Sequence, residues 1–155
     1  MATATAQDLV TDLLERVTVA LGLTAEIRVV EVDGELTGTL DGEDLGLFIG
    51  RHGQTIDAVQ HLAQRIVHAR TGELRRVIID AEGYRGRRRE MLEQQADEAA
   101  VSALRDGRPV ALDAMTASER RLVHEFLRER GGVETHSEGA EPDRHLVISP
   151  AAPTA

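Results

Sequence analysis

Apolar residues recur at helical spacing from Leu9 to Leu21, with Leu9, Val10, Leu13, Leu14, Val17, Ala20 and Leu21 at i, i+3 and i+4 intervals. That period places them on one face of an α-helix. Thr5 and Asp8 form a capping-box pattern ahead of the stripe, and Gly22 offers a stop after it. The period then falls to two. Ile27 to Val32 is largely β-branched, Asp33-Gly34 follows, and Glu35 to Leu40 alternates polar with apolar, which predicts a hairpin closed by a type I′ turn. Glu43 to Ile49 has room for a turn or two of helix and runs into Gly50-Arg51-His52-Gly53. Beyond it, Ile56, Val59, Leu62, Ala63, Ile66 and Val67 mark a second long helix ending near Gly72, so the glycine pair joins two helices. Leu74 to Asp80 predicts a third strand, completing a small α+β unit by about Glu82.

Gly83-Tyr84-Arg85-Gly86 has the composition of a short joint. A long helix is expected from Arg87 to Asp106, with Met91, Leu92, Ala96, Ala99, Ala103 and Leu104 as its apolar side and Gly107 and Pro109 as its end. Val110 to Leu112 is a short extended piece. Thr116 with Glu119 repeats the capping-box pattern and opens a helix whose buried side is Leu122, Val123, Phe126 and Leu127, stopped by Gly131-Gly132. Val133–Ser137 and Arg144–Ser149 are strand candidates around a Gly/Pro/acidic loop. The organisation expected is α+β in two small domains, over residues 7–82 and 84–150, with flexible ends at 1–6 and 151–155.

The 155 residues carry a net charge of −9, no cysteine and no tryptophan, which excludes a disulfide scaffold and a thiolate metal site. The N-terminus lacks the basic start and apolar core of an export signal. No segment approaches the roughly 18 apolar residues of a membrane span, so a cytoplasmic protein without membrane insertion is expected. All 18 basic residues are arginine, a forked donor suited to phosphate, although a codon bias gives the same count. The acidic total hides an asymmetry. Residues 1–50 hold 2 Arg and 10 acids, residues 51–90 hold 9 Arg and 5 acids, and residues 91–155 hold 7 Arg and 12 acids. An anion is therefore best received in the middle of the chain.

Two glycines three apart between helices let the backbone turn tightly and approach a ligand, while the amides opening the next helix favour phosphate. With its flanks, the run Leu45-Gly46-Leu47-Phe48-Ile49-Gly50-Arg51-His52-Gly53-Gln54-Thr55-Ile56-Asp57-Ala58 resembles the K-homology (KH) domain of the prokaryotic type II, which implies a three-stranded sheet with helices. KH domains clamp about four nucleotides by backbone and shape. The resemblance implies that Gly50, Arg51, His52, Gly53 and Gln54 meet RNA. With only Phe48, Phe126 and Tyr84 as aromatics, an RRM or OB-fold module lacks its stacking platform. In the second unit Arg120 and His124 stand four apart on one helix face, where together they are expected to contact RNA. That segment, with the arginine-rich helix before it and the last strand, resembles the R-3-H (Arg-x-x-x-His) domain, a small sheet with two helices that binds single-stranded nucleic acid. KH followed by R-3-H is the arrangement of the Jag, or SpoIIIJ-associated, family. The resemblance to that family implies a bacterial RNA-binding protein, a post-transcriptional regulator linked to cell elongation, division and envelope assembly. It also implies a small KH-only protein as partner. Many members carry a further N-terminal domain, whose functions are not carried over to this chain. Arg85, Arg87, Arg88 and Arg89 could extend a positive path between the two motifs or simply face water.

Catalysis finds little support. His52 or His124 beside Asp57 or Glu125 could serve as a base, but there is no Ser or Cys nucleophile motif, no P-loop lysine and no metal-ligand spacing. No enzyme activity, cofactor or metal is expected, and His61 and His68 are expected to be solvated. The alternative from another class is a protein-interaction adaptor docking through the acidic first 50 residues, with RNA contact secondary.

Overall fold

A computed structural model describes residues 4–152. The chain divides between Arg85 and Gly86 into two compact units. In the first, α1 (Ala6–Ala20) is opened by the Thr5/Asp8 capping box. Strands β1 (Glu26–Val32) and β2 (Glu35–Asp41) follow, antiparallel, with Val32 opposite Glu35. Asp33 and Gly34 both have positive φ, 52° and 79°, as the type I′ turn requires. A short α2 (Gly46–Ile49), a single 3₁₀ turn (Arg51–Gly53) and α3 (Gln54–Thr71) lead to β3 (Val77–Ala81). This last strand lies parallel to β2, giving the sheet order β1-β2-β3.

One face of this sheet is apolar because the strands alternate. Leu36, Leu40, Val77, Ile79 and Ala81 turn inward against Val10 and Leu14 of α1 and Ile56, Val59, Ala63 and Val67 of α3. Two glutamines of α3 serve the backbone of β3, Gln60 accepting from the Ile79 amide at 2.9 Å and Gln64 donating to the Val77 carbonyl at 3.1 Å. They answer polar groups of β3 that the pairing with β2 leaves open.

Helix α4 (Tyr84–Asp106) begins with the last two residues of the first unit and runs on into the second, which also holds β4 (Val110–Ala111), α5 (Ala117–Arg130), β5 (Val133–Glu138) and β6 (His145–Pro150). Its sheet is antiparallel in the order β4-β6-β5. Leu92, Ala96, Ala99, Ala100 and Ala103 of α4 pack with Met115, Val123, Leu127, Leu146 and Ile148. Both units are α+β.

Some expectations are corrected. Helix α4 starts at Tyr84 rather than Arg87, so the expected joint is already helical. Met91 and Leu104 are exposed and Ala100 is buried instead, because the alanine stripe lets the helix lie close to its neighbours. Of the expected flexible ends, Thr5 and Ala6 belong to the capped start of α1, while residues 1–3 and 153–155 lie outside the described residues.

Candidate nucleic-acid interface

The Gly50–Gly53 turn is built by backbone conformations that side chains oppose. Gly50 has φ 74° and ψ 176°, a region essentially confined to glycine. A Cβ there would stand 2.8 Å from the Thr55 Cβ and 2.9 Å from its amide nitrogen. His52 is left-handed at φ 54° and ψ 26°. Gly53 is left-handed too, at φ 75° and ψ 15°, and is buried, with the Tyr84 ring where its Cβ would be, 2.8 Å from Cε1. The turn is closed by the Gly53 amide on the Gly50 carbonyl at 3.2 Å.

Helix α3 starts directly after this turn with no side-chain cap. Its leading amides retain the partial positive charge of a helix N-terminus. Arg51 and Gln54 are exposed on either side of the half-buried His52, and Arg51 makes no ion pair among the described residues. The one acid in the first turn of α3, Asp57, is answered by Arg85, whose Nη1 lies 2.8 Å from its Oδ1. Arg85 also donates to Gln60 at 3.0 Å and to the Ile79 carbonyl at 2.8 Å. A negative charge that would repel phosphate is thereby compensated.

In the second unit, α5 begins with the Thr116/Glu119 capping box, which fixes the register of the residues behind it. Arg120 and His124 stand one turn apart on α5, but they differ in exposure. Arg120 is only 9% exposed. Its Nη1 donates to the Met115 carbonyl at 2.6 Å and its Nη2 to Glu141 Oε1 at 2.7 Å. His124 is exposed, with Nδ1 hydrogen-bonded to the Thr135 hydroxyl. Around it lies an open basin of about 460 Å³ lined by Arg120, Arg121, His124, Thr135, His136, Ser137 and Arg144. Sequence reasoning missed His136 and Arg144 as site residues. No spacing marks them: His136 lies on β5 and Arg144 in the connection just before β6.

Between the motifs, Arg85 is engaged as above, Arg88 pairs with Glu119 at 2.8 Å and Arg89 with Glu93 at 2.8 Å. Arg87 is exposed. Arg75 and Arg76 are likewise engaged, by Glu31 and Glu73 and by Glu35. Much of the arginine excess of residues 51–90 is therefore met by acids within the fold. His61 is exposed as expected, whereas His68 is half-buried and its Nδ1 is sheltered without a hydrogen-bond partner. Among the described residues no group of His, Asp and Glu is arranged to hold a metal ion, and no helix is long and apolar enough to cross a membrane.

Comparison with known proteins matches both halves. The family model described as the KhpA/KhpB KH domain covers residues 7–79, and that of the R-3-H domain covers residues 90–150. Over 94% of its length the chain is 39% identical to a protein of Clostridium symbiosum named RNA-binding protein KhpB. Proteins of the same name from Lactiplantibacillus plantarum and Bacillus subtilis are 36% and 33% identical over 89% and 88% of the chain. The chain spans 66%, 43% and 66% of the lengths of these three relatives.

Proposed function

This chain belongs to the KhpB (Jag) family and carries a KH domain of the KhpA/KhpB type followed by an R-3-H domain, and from that premise we propose that it binds single-stranded RNA without catalysing a reaction. The KH half is assigned to residues 7–82 and the R-3-H half to residues 84–150. The observation that carries the reading is the Gly50–Gly53 turn, whose shape only glycine allows at either end and which sets the exposed Arg51 beside an uncapped helix N-terminus. A phosphodiester needs that combination of close approach, amide donors and a forked cation. The basin around His124 supplies a second set of cationic and hydroxyl donors. Because three aromatics are too few for a stacking platform, grip on the sugar-phosphate backbone explains binding better than base stacking.

The family relationship further supports a cytoplasmic post-transcriptional regulator acting in cell elongation, division and envelope assembly, with a small KH-only protein as partner. One observation favours a parallel adaptor role: edge strand β1 exposes Val30 and Val32. An adaptor complex formed there survives Arg51→Asp/His52→Asp, whereas RNA binding does not.

Chemical-shift mapping of the whole chain with a short single-stranded RNA tests the assignment. The amides from Gly50 to Asp57, and those of His124 and Thr135 to Ser137, are expected to move most. Shifts confined to the β1–β2 hairpin would contradict it.

A further inference from the structure

The signature arginine of the second unit is the wrong way round for a ligand contact. Arg120 is nine-tenths buried, and its two terminal nitrogens are engaged by the carbonyl of Met115, just before α5, and by Glu141 in the β5–β6 connection. The same connection is tied at two further points. Arg144 donates from Nη1 to the Gly139 carbonyl at 2.6 Å, and its own carbonyl accepts from the Met115 amide at 3.2 Å. Two segments distant in sequence, α5 with its 115–116 lead-in and the 139–144 connection, are thus tied together through one guanidinium. A planar fork with fixed donors suits this bridging, which a point charge cannot reproduce. Arg144, by contrast, is half-buried and lines the basin beside Arg121, His124 and His136.

We propose that Arg120 is a positioning residue: through Glu141 it holds the 139–144 connection so that Arg144 meets the RNA phosphate in the basin. This rests on the reading of the basin as an RNA site. Arg144 is then the arginine that works with His124, and Arg120 acts on binding only through it. The two roles give opposite signs for Glu141. Were Arg120 a direct contact, Glu141→Gln would remove a competing carboxylate and tighten binding. As a clamp, the same substitution loosens the connection and weakens binding, although it removes a negative charge from the protein.

The test is a binding cycle on the full chain with a single-stranded RNA, comparing Glu141→Gln, Arg144→Ala and the double variant over a salt series. Glu141 is 58% exposed by side chain, so the fold tolerates the change. Each single substitution is expected to weaken binding roughly 3- to 10-fold, the size of one charge-assisted hydrogen bond partly screened by water. Each should also reduce the salt slope by about 0.7, as when one fewer phosphate is neutralised by the protein. In the Arg144→Ala background Glu141→Gln should add nothing, because the residue it positions is gone. Tighter or unchanged binding by Glu141→Gln while Arg144→Ala weakens it overturns the clamp alone, as do additive effects in the double variant. If Arg144→Ala itself leaves affinity and slope unchanged, the RNA reading of the basin fails and the clamp falls with it.

Discussion

Gly53 carries two constraints at once. Its φ of 75° is strained for any residue with a Cβ, and the Tyr84 ring occupies the place that Cβ would take. Gly46, only a few residues earlier, opens α2 with nothing within 4 Å of its hypothetical Cβ and no positive φ. The two should therefore respond differently to the same change. Gly53→Ala is expected to destabilise the full chain by about 1–3 kcal/mol, and Gly46→Ala by no more than about 0.5 kcal/mol. Denaturant unfolding of both variants checks this, and equal effects would mean that the turn is not the constrained element described. Arg51 is unlike either glycine, since its side chain is exposed and forms no ion pair among the described residues. Its substitution should change binding and leave stability nearly untouched.

Among the elements, α1 shows how a local pattern becomes structure. Asp8 takes hydrogen bonds from the Thr5 hydroxyl and amide at 2.7 and 2.9 Å, and these hold its carboxyl below its ordinary value of 3.8. A carboxyl depressed by folding contributes its stabilisation above the unfolded value and loses it as pH falls through the folded one. The native chain should therefore be more stable than Asp8→Ala near neutral pH. That gap should close as the solution is taken below 3.8. A gap that persists at lower pH would show that the Asp8 charge is not what caps the helix. Features of this kind were legible in the sequence, because the partners lie within four residues: Thr5 with Asp8, Thr116 with Glu119, and the Asp33-Gly34 turn. Illegible were features fixed by tertiary packing. Burial of Arg120 depends on Glu141, 21 residues away, and closure of Tyr84 over Gly53 depends on where α4 begins. Met91 and Leu104 looked like core on periodicity, but small alanines won the interface and left them outside. The KH-type turn was readable as residues, while His136 of β5 and Arg144, just before β6, became part of the candidate site only through the folding of the β5–β6 hairpin beside α5.

At the scale of the whole molecule, a net charge of −9 means that RNA can be received only through local geometry, because the mean field repels phosphate. Ion pairs neutralise Arg75, Arg76, Arg85, Arg88 and Arg89 within the fold, so the charge offered to a ligand is narrower than the arginine count implies. Two modest sites on one chain strengthen each other through effective concentration when both reach a single strand. Removing either should then weaken binding by more than that site's own few interactions. The most direct measurement is fluorescence-anisotropy binding of a short single-stranded RNA over a salt series. It compares the native chain with Arg51→Asp/His52→Asp and with His124→Ala/Arg144→Ala. Both variants are expected to lose at least about tenfold in affinity, with shallower salt slopes than the native chain because fewer phosphates are neutralised. Native-like binding by Arg51→Asp/His52→Asp would contradict an RNA interface at the Gly50–Gly53 turn.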